Sequence, residues 1–299
     1  MLTILIPSYN HDSYIRQCLV AVCKVKVQGL KVFLIDDGST DDTVSRARTV
    51  LAEYPEIDSE IIVKSNSGLV SSLNQGLALA KTEFFYLTAS DDVPNPDAIL
   101  QAVDELVKHP HAAFCIGGAT NFTTDIGDGT PVYKASHERF FNLEVHRRNV
   151  EMFTDFPSPV LLQSTVFRVS ALTAIGGWDP NLIWDDYPTF VKLFQKFPVL
   201  GADFLYSPST VICNYRHHST NTYKNVQKQF FMLSQAMKAL APAALITSVL
   251  ARKGAYYILV ALRRGDIKGA AGVAGMMPVF ALLRSPFIML NLLVRKIRK

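Results

Sequence analysis

Two adjacent carboxylates, Asp91 and Asp92, follow a short apolar run and precede two prolines. The run, Phe84 to Leu87, is apolar and aromatic throughout, which is typical of a strand covered on both faces of a sheet. The carboxylates then lie at the C-terminal end of that strand, where open α/β sheets bind ligands. Paired carboxylates there offer the hard oxygen ligands that Mg²⁺ or Mn²⁺ prefers. A strand-end Asp-Asp also caps helices and forms turns, so this pair alone leaves both interpretations open.

Carboxylates also end a second predicted strand. Lys31–Ile35 is a short apolar run, and Asp36-Asp37-Gly38 follows it directly. The glycine permits a tight turn, and Ser39–Asp42 can cap the next helix. Another polar loop, Pro7–Asn10, follows the predicted strand Leu2–Ile6.

The elements that must position these loops alternate between strands and helices. Glu60–Val63 is a third predicted strand, Phe84–Leu87 a fourth, and Ala112–Ile116 returns as a fifth. Apolar residues at helical spacing follow the first four strands, over about 12–22, 42–52, 68–80 and 97–109. Four such βα units predict an α/β fold with a mostly parallel sheet between two helix layers, because right-handed crossovers leave few other topologies.

The first loop excludes two common phosphate sites. It lacks the Gly-x-Gly-x-x-Gly of Rossmann dehydrogenases, and the chain has no Walker A loop. A phosphate must then be neutralised by a metal and side chains in place of a glycine-rich cradle. This gives Asp91 and Asp92 more weight than they have alone.

The pattern is irregular from about 119 to 157, where a turn-rich stretch precedes a predicted amphipathic helix over 138–153. A strand over 163–168 and a turn at Gly176–Pro180 follow. Asp185 and Asp186 then begin a predicted helix, a position where acids normally serve as caps and dipole partners. A last strand is predicted at 210–215, and helices over about 223–240, 244–263 and 270–283 follow it.

Charge is distributed unevenly between the two ends of the chain. Residues 219–299 contain 13 Lys and Arg against one acid, Asp266, which is a charge of +12 in a chain of net charge +4. The remainder is therefore acidic, and the two regions are predicted to have different partners. The four cysteines show no metal-binding spacing and the N-terminus no secretion signal, so we expect a reducing, cytoplasmic location.

The basic C-terminal region is also apolar. The stretch 270–294 contains an arginine and two prolines, which makes it a poor membrane span, since a span needs about 20 apolar residues. Its composition better suits helices lying on an anionic membrane surface. A soluble helical subdomain is the alternative. Nucleic acid is not an expected partner, because the basic residues flank apolar stretches instead of lining a polar groove.

Together these segments resemble the inverting family 2 glycosyltransferases with the GT-A fold, of the bacterial surface-polysaccharide type. The resemblance covers about residues 2–221. Its motifs are the opening strand Thr3–Asn10, the nucleotide loop Ile35–Thr43, the N-x-G…N-x-G helix Asn66–Gly76, the DXD-type Ala89–Asp92, the Gly176–Asp179 element followed by Trp184–Tyr187, and the late segment Tyr215–Thr222.

The resemblance implies a donor site for a nucleotide-diphosphate sugar. Pro7 and Tyr9 would line the pocket of the base, and Asp37 would accept a hydrogen bond from a pyrimidine ring. Gly68 belongs to the same nucleotide site. Asp91 would face the ribose or the donor sugar.

The resemblance also implies a metal ligand and a general base. Asp92 would bind the Mg²⁺ or Mn²⁺ ion that bridges the diphosphate, and Asp186 would deprotonate the acceptor hydroxyl. His218 would contact the metal or the leaving group, whereas His217 receives no role. The chain departs from the family pattern by having Asp185 where Glu is usual and Pro188 after the following tyrosine. The first change keeps the charge, and the second is tolerated in the first turn of a helix.

The implied function is transfer of one hexosyl or N-acetylhexosaminyl group, with inversion, to a saccharide acceptor that is lipid-linked. The chain has no Q-x-x-R-W motif of processive synthases, which favours one sugar per event. We expect a catalytic domain over 1–221 and a basic, membrane-associating helical region over 222–299, placing the enzyme at the inner face of the cell membrane in O-antigen or capsule-type synthesis.

Two other classes compete with this interpretation. A non-catalytic nucleotide-sugar-binding module on the same fold predicts that Asp92 or Asp186 is missing, and both are present. A nucleotidyltransferase predicts a glycine-rich, basic loop after the first strand, and Pro7–His11 is not one.

Overall fold

The structure is a computed structural model that describes residues 1–123, 129–218, 225–285 and 288–289 of the 299-residue chain. The chain divides into two compact units. The first contains Met1–Arg148 and Pro157–His217, and the second contains Asn149–Phe156 and His218–Lys299. The domain boundary predicted between residues 221 and 222 lies outside the described residues.

The first unit is built on one mixed sheet. Its described strands are β1 (Leu2–Ser8), β2 (Leu30–Asp36), β3 (Asp58–Val63), β4 (Phe84–Leu87), β5 (Val93–Pro94), β6 (Phe114–Phe122), β7 (Thr165–Arg168) and β8 (Phe204–Arg216). They are arranged in the order β3-β2-β1-β4-β7-β6-β8-β5. The expected α/β class is confirmed.

Helices connect the strands and continue into the second unit. They are α1 (Ile15–Val22), α2 (Thr43–Ala52), α3 (Leu69–Leu79), α4 (Pro96–Lys108), α5 (Ala135–Phe141), α6 (Val145–Thr154), α7 (Val169–Ala174), α8 (Asp186–Lys196), α9 (Val226–Leu240), α10 (Ala243–Arg263) and α11 (Ile267–Met276).

The parallel half of the sheet brings the polar loops to one edge. β1 pairs in parallel with β2 and with β4, so that Ser8 is level with Asp36, and Leu5 with Leu87. All seven residues of β1 and all four of β4 are buried, which explains why the two strands are apolar on both faces apart from Thr3 and Ser8. The loops that follow β1, β2 and β4 therefore open at the same C-terminal edge.

The sheet departs from the predicted arrangement beyond β4. On the side away from β1, β4 pairs with β7, which runs antiparallel and lies between β4 and β6. The sequence predicts both strands, but it gives no signal that the later one inserts beside β4. The predicted strand at Ala112–Ile116 overlaps the first three residues of β6, which begins at Phe114 and is nine residues long.

Some predicted element ends also differ. The single helix predicted over 138–153 is two helices, α5 and α6. α1 begins later than residue 12, the predicted start, with Tyr14 at its N-cap position and no side-chain capping bond. α11 ends at Met276 just before Pro278, because proline has no backbone N–H with which to continue a helix.

An aromatic cluster holds α8 against β6, β7 and β8. Phe114 of β6 stacks on Phe204 of β8 with ring centroids 5.2 Å apart, and it contacts Phe194 of α8 at 5.9 Å. Phe190 of α8 contacts Phe167 of β7 at 6.4 Å. Burial of several aromatic rings fixes the helix strongly, and with it the position of Asp186 at its first turn.

The second unit is helical in its described residues, with α9, α10 and α11 packed on one another. One described helix, α10, is long and apolar enough to cross a membrane, by its length and composition alone. Of its most apolar stretch, 39% is buried within the protein. The core-facing residues of α10 are Val249, Leu250, Ala251, Gly254, Ala255, Ile258 and Ala261.

Candidate active site

Asn10 ties the loop after β1 to the loop after β2. Its backbone has a φ of 52°, a left-handed conformation that asparagine tolerates better than most residues. Its N–H donates to Ser39 Oγ at 2.8 Å, and its Oδ1 accepts from the Thr40 N–H at 2.8 Å. The two loops are therefore held together before any ligand binds.

Asp37 joins the same edge to the start of α3. Its carboxylate accepts the N–H groups of Ser67 and Gly68, each at 2.8 Å, and forms an ion pair with Lys64. Burial on its own would raise the pKa of Asp37, but the hydrogen bonds from Lys64, Ser67 and Gly68 lower it below its usual value. Gly68 has a φ of 88°, which a residue with a side chain adopts only with strain.

The predicted base-pocket residues differ in exposure. Pro7 is buried in β1, whereas Tyr9 is 46% exposed at the loop after it. Asp36 turns into its own loop, where its carboxylate accepts from the N–H of Ser39 at 2.8 Å and from the Ser39 hydroxyl at 2.6 Å. Tyr9 is thus the predicted base-pocket residue that is open to a ligand from solvent.

Asp91 lies beside His11 from the loop after β1. The Nε2 atom of His11 is 4.0 Å from Oδ2 of Asp91, and its Nδ1 atom is 2.7 Å from Ser90 Oγ. Both side chains are partly accessible, 24% for His11 and 12% for Asp91.

Asp92 is more deeply buried than its neighbour. The residue is 1% exposed, its Oδ1 accepts the N–H of Arg216 at 2.8 Å, and its Oδ2 accepts from Gln163 Nε2 at 3.1 Å. Burial, and then the charge of Asp91, raise the pKa of Asp92 well above its usual value. Arg216 also donates from Nε to the Asp91 carbonyl at 2.7 Å, so this arginine fixes the loop of both carboxylates.

Asp186 is the first residue of α8. Its Oδ1 accepts the Leu162 N–H at 3.2 Å. Burial, followed by the neighbouring charge of Asp185 and the charge of Asp92, raises the pKa of Asp186 well above that of an ordinary carboxyl group. A raised pKa suits a general base, because efficient proton transfer needs a pKa near the working pH.

Consecutive residues therefore contact the two predicted catalytic carboxylates. Leu162 binds Asp186 through its backbone, and Gln163 binds Asp92 through its side chain. The segment itself is fixed from both sides, since Tyr86 of β4 donates to the Gln163 carbonyl at 2.9 Å and the Leu161 N–H donates to the Tyr133 hydroxyl at 3.1 Å. Asp92 and Asp186 thus face one short segment of the chain.

Two hydrogen bonds made by Asn74 fix the chain that leads into α8, and we call this pair of bonds the Asn74 clamp. Asn74 of α3 accepts the Trp178 N–H at 3.0 Å and donates to the Trp178 carbonyl at 2.8 Å. Gly177 lies so close that a Cβ atom there would be 2.6 Å from Asn74 Oδ1. The N-x-G…N-x-G and Gly-Gly-Trp-Asp motifs are therefore in direct contact.

The donor set fits a hard divalent cation. Two potential ligand atoms, Oδ2 of Asp91 and Nε2 of His11, are separated by 4.0 Å, which one ion with ligand distances of about 2.0–2.2 Å can bridge. Each oxygen of Asp92 accepts one hydrogen bond and retains a lone pair. His218 belongs to the second unit, and its role as a metal ligand stays a prediction.

Several residues of this edge receive no role from the sequence. His217 is engaged with Asn121, whose Oδ1 lies 2.7 Å from its Nε2. Arg216 belongs to a motif segment, so the sequence carries a signal for it. The sequence gives no signal for three other residues, because only the folded loops bring them to the carboxylates: Gln163, Lys64 and His11.

Comparisons with known proteins identify the family of the chain. The family model described as glycosyl transferase family 2 matches residues 3–167, more than half of the 299-residue chain. A chondroitin synthase of Escherichia coli is 32% identical over 108 residues, which is 36% of this chain and 16% of that protein. The chain thus spans much less than the full length of this relative.

Solved structures share the fold. TarS of S. aureus (residues 1–349), in complex with UDP-GlcNAc, has a TM-score of 0.62 at 14% identity, covering 97% of this chain and 88% of that one. The mannosyltransferase PcManGT of Pyrobaculum calidifontis, in complex with GDP-Man and Mn²⁺, has a TM-score of 0.58 at 18% identity, covering 97% and 86%. With the matched family model and the arrangement of its motifs at one sheet edge, the chain belongs to glycosyl transferase family 2 and has the GT-A fold.

Proposed function

We propose that this protein transfers one hexosyl or N-acetylhexosaminyl group from a nucleotide-diphosphate sugar to a hydroxyl group of a saccharide acceptor in polysaccharide synthesis. The observation that carries the proposal is the contact of consecutive residues, Leu162 and Gln163, with Asp186 and Asp92. A donor held near Asp92 then lies within reach of an acceptor held near Asp186. Family membership supports the same reaction class.

The proposed reaction is a single displacement with inversion. Asp186 takes the proton of the acceptor hydroxyl, the acceptor oxygen forms a bond to the anomeric carbon, and the bond from that carbon to the phosphate oxygen breaks on the opposite face. The nucleoside diphosphate leaves with both electrons of that bond. A positioned carboxylate base contributes about 10²–10⁴ in rate to such a step.

The donor site combines residues of three loops. Pro7, Tyr9, Asp37 and Gly68 are proposed to hold the nucleotide, with Asp91 beside the ribose or donor sugar. Asp92 is proposed to hold Mg²⁺ or Mn²⁺, with His218 as a second candidate ligand. Asp91 and His11 are close enough to each other to contact the same ion. When bound, such an ion stabilises the negative charge that develops on the leaving diphosphate.

The proposed acceptor is lipid-linked, and the proposed location is the cytoplasmic face of the cell membrane. The support is compositional, since residues 219–299 carry 13 basic residues against one acid. In this proposal residues 1–221 carry the chemistry and residues 222–299 hold the enzyme near an anionic bilayer.

A binding experiment followed by product analysis tests the reaction. Nucleotide sugars are first screened by thermal shift with and without Mn²⁺, because a donor that binds the folded protein raises its melting temperature. The stabilising donor is then incubated with saccharide acceptors, and the products are separated. Glycosylated acceptor together with free nucleoside diphosphate is the expected result.

The controls separate the competing classes. Asp186→Asn should retain the donor-induced shift and lose product, whereas Asp104→Asn, an exposed carboxylate on α4, should change neither. Pyrophosphate release would indicate a nucleotidyltransferase. A donor-induced shift without turnover in the wild type would indicate a binding module.

A further inference from the structure

The connection between α10 and α11 exposes a continuous mixture of basic and apolar side chains. All seven residues from Leu262 to Lys268 are exposed, and we call this segment the basic corner. Leu262 is 50% exposed and Ile267 is 73% exposed. Three of the other residues are Arg263, Arg264 and Lys268, so two apolar and three cationic side chains are exposed within seven residues.

The one acid of the basic corner is already engaged. Asp266 accepts the Gly269 N–H at 2.7 Å and caps the N-terminus of α11. A carboxylate at a helix N-terminus is partly neutralised by the helix dipole. Arg263 lies in the last turn of α10, where a cation stabilises the C-terminal end of that helix dipole. This role does not explain why Leu262 and Ile267 are exposed.

A second exposed surface follows α11. Residues 279–285 are helical, and Val279, Phe280 and Leu283 are 70%, 75% and 66% exposed; we call these three residues the apolar strip. They occur at positions i, i+1 and i+4 and so share one side of a helix. Ala281 and Ser285 are buried on the other side, at 0% and 3%. Arg284 is exposed next to the strip.

These exposed residues are not the remainder of a poorly packed helical core. Ala270 and Val273 of α11 are 7% and 0% exposed, and Gly254 of α10 lies against the Met277 side chain. The helices therefore bury an apolar side of their own while the basic corner and the apolar strip remain outside. Large exposed apolar side chains next to cations mark an interaction surface.

The chemistry of these surfaces matches an anionic lipid bilayer. Exposed Leu, Ile, Val and Phe side chains can enter the boundary between headgroups and acyl chains, and nearby Arg and Lys groups can contact lipid phosphates. A nucleic acid would satisfy the cations and leave the aliphatic groups in water. A hydrophobic protein partner would cover the aliphatic groups without using the cations.

We propose that the basic corner and the apolar strip dock the protein on an anionic lipid bilayer, with the helices lying on the surface and not crossing it. The inference deepens the proposed function by assigning its membrane contact to named residues, and it rests on that function only for the lipid-linked acceptor. Arg252 and Lys253 in the middle of α10 support a surface location, because charges at that depth oppose crossing.

Vesicle sedimentation of the full chain tests the proposal. Binding is compared on vesicles of phosphatidylcholine alone and of phosphatidylcholine mixed with phosphatidylglycerol. The wild type should bind the mixed vesicles, and high salt should release it, because the attraction to anionic headgroups is screened. Equal binding to both vesicles, or release by detergent alone, would overturn the proposal.

Two variants with matched controls locate the contact. Arg263→Gln with Lys268→Gln should weaken binding to mixed vesicles by about 10-fold or more, since each basic residue near an anionic surface contributes about 5-fold. The control, Lys24→Gln with Lys26→Gln, neutralises two exposed lysines of the first unit. Phe280→Ser with Leu283→Ser should weaken binding by a similar factor. Its control is Val107→Ser with Val199→Ser, which changes two exposed valines of the first unit.

The readouts separate this inference from the proposed reaction. The vesicle-binding variants should keep the donor-induced thermal shift and transfer to a soluble acceptor. If the wild type transfers sugar and does not bind mixed vesicles, the membrane contact is wrong and the reaction stands. If either variant sediments like the wild type, or if the wild type elutes as a dimer that the apolar-strip variant dissociates, the surface serves another purpose and the proposal fails.

Discussion

Gln163 donates a hydrogen bond from Nε2 to Oδ2 of Asp92 at 3.1 Å, and its chain neighbour Leu162 binds Asp186. The side chain of Gln163 thus orients one predicted catalytic carboxylate while the backbone beside it orients the other. A substitution that displaces this segment should therefore affect both donor binding at Asp92 and proton transfer to Asp186.

Gln163→Leu should weaken cation-dependent donor binding. The leucine has a similar size but cannot donate to Asp92, and loss of such an outer contact typically costs 10–100-fold in metal affinity. The measurement is the Mn²⁺ concentration that gives half of the donor-induced thermal shift. Gln195→Leu on α8, where the glutamine is exposed, is the matched control. An unchanged Mn²⁺ midpoint in Gln163→Leu would mean that Gln163 does not position Asp92.

Replacing the proposed base should separate binding from chemistry. Asp186→Asn keeps the shape of the side chain and its hydrogen bond from Leu162 but cannot take a proton. We expect kcat to fall by about 10²–10⁴, with the donor KM changed little. Steady-state kinetics with the stabilising donor checks this expectation. Near-normal kcat in Asp186→Asn would show that another group is the base.

The pH dependence of transfer should reflect the raised pKa of Asp186. Only the ionised carboxylate accepts a proton, so the rate should fall as the pH drops through this pKa, at a pH above that of an ordinary carboxyl group. Asp185→Asn removes one of the charges that raise the pKa, and the acidic limb of kcat should move to lower pH. If the acidic decrease in kcat of Asp185→Asn shifts to higher pH or does not shift, the charge of Asp185 does not raise the pKa of Asp186.

The acid stability of the fold should depend on Asp37 and Lys64. The folded state lowers the pKa of Asp37, so this group stabilises the fold above its unfolded pKa of about 3.9, and the contribution is lost as the pH falls through the lower folded value. Asp37→Asn should therefore be less stable at neutral pH and lose less stability on acidification than the wild type. Urea unfolding at neutral pH and at about pH 3 measures the difference.

A matched variant isolates the ion pair. Lys64→Met removes the cation and leaves the Ser67 and Gly68 N–H donors in place, so it should lie between the wild type and Asp37→Asn at both pH values. If all three proteins lose the same free energy of unfolding on acidification, Asp37 does not contribute to acid stability.

The strand ends and their acidic loops were predictable, because a buried parallel strand needs an apolar run and its loop needs turn residues. The same local patterns predicted that Asp91 and Asp92 follow a strand and that a helix begins at Asp185 and Asp186. The position of β7 beside β4 was not predictable, because strand pairing is decided by contacts between residues that are far apart in sequence. Phe85 of β4 and Phe167 of β7 are such a pair. Gln163 escaped prediction for the same reason, because its partner is 71 residues away.

Gly176 and Gly177 should respond differently to the same substitution. Both have a positive φ, 78° and 63°, so alanine at either position adopts a strained backbone that costs about 1–2 kcal/mol. A Cβ at Gly176 meets nothing within 4 Å, whereas a Cβ at Gly177 would be 2.6 Å from Asn74 Oδ1. Gly177→Ala must also displace Asn74, which holds the Trp178 backbone through two hydrogen bonds.

We therefore expect Gly177→Ala to lower the free energy of unfolding by about 1–3 kcal/mol more than Gly176→Ala, the range for overpacking a fitted site. Gly177→Ala should also lower kcat, because the Asn74 clamp fixes the chain that carries Asp186 into place, while Gly176→Ala should leave kcat nearly unchanged. Urea unfolding and steady-state kinetics on both variants measure the two effects. Equal losses of stability would show that backbone strain alone governs this turn and that the Asn74 clamp adds nothing to it.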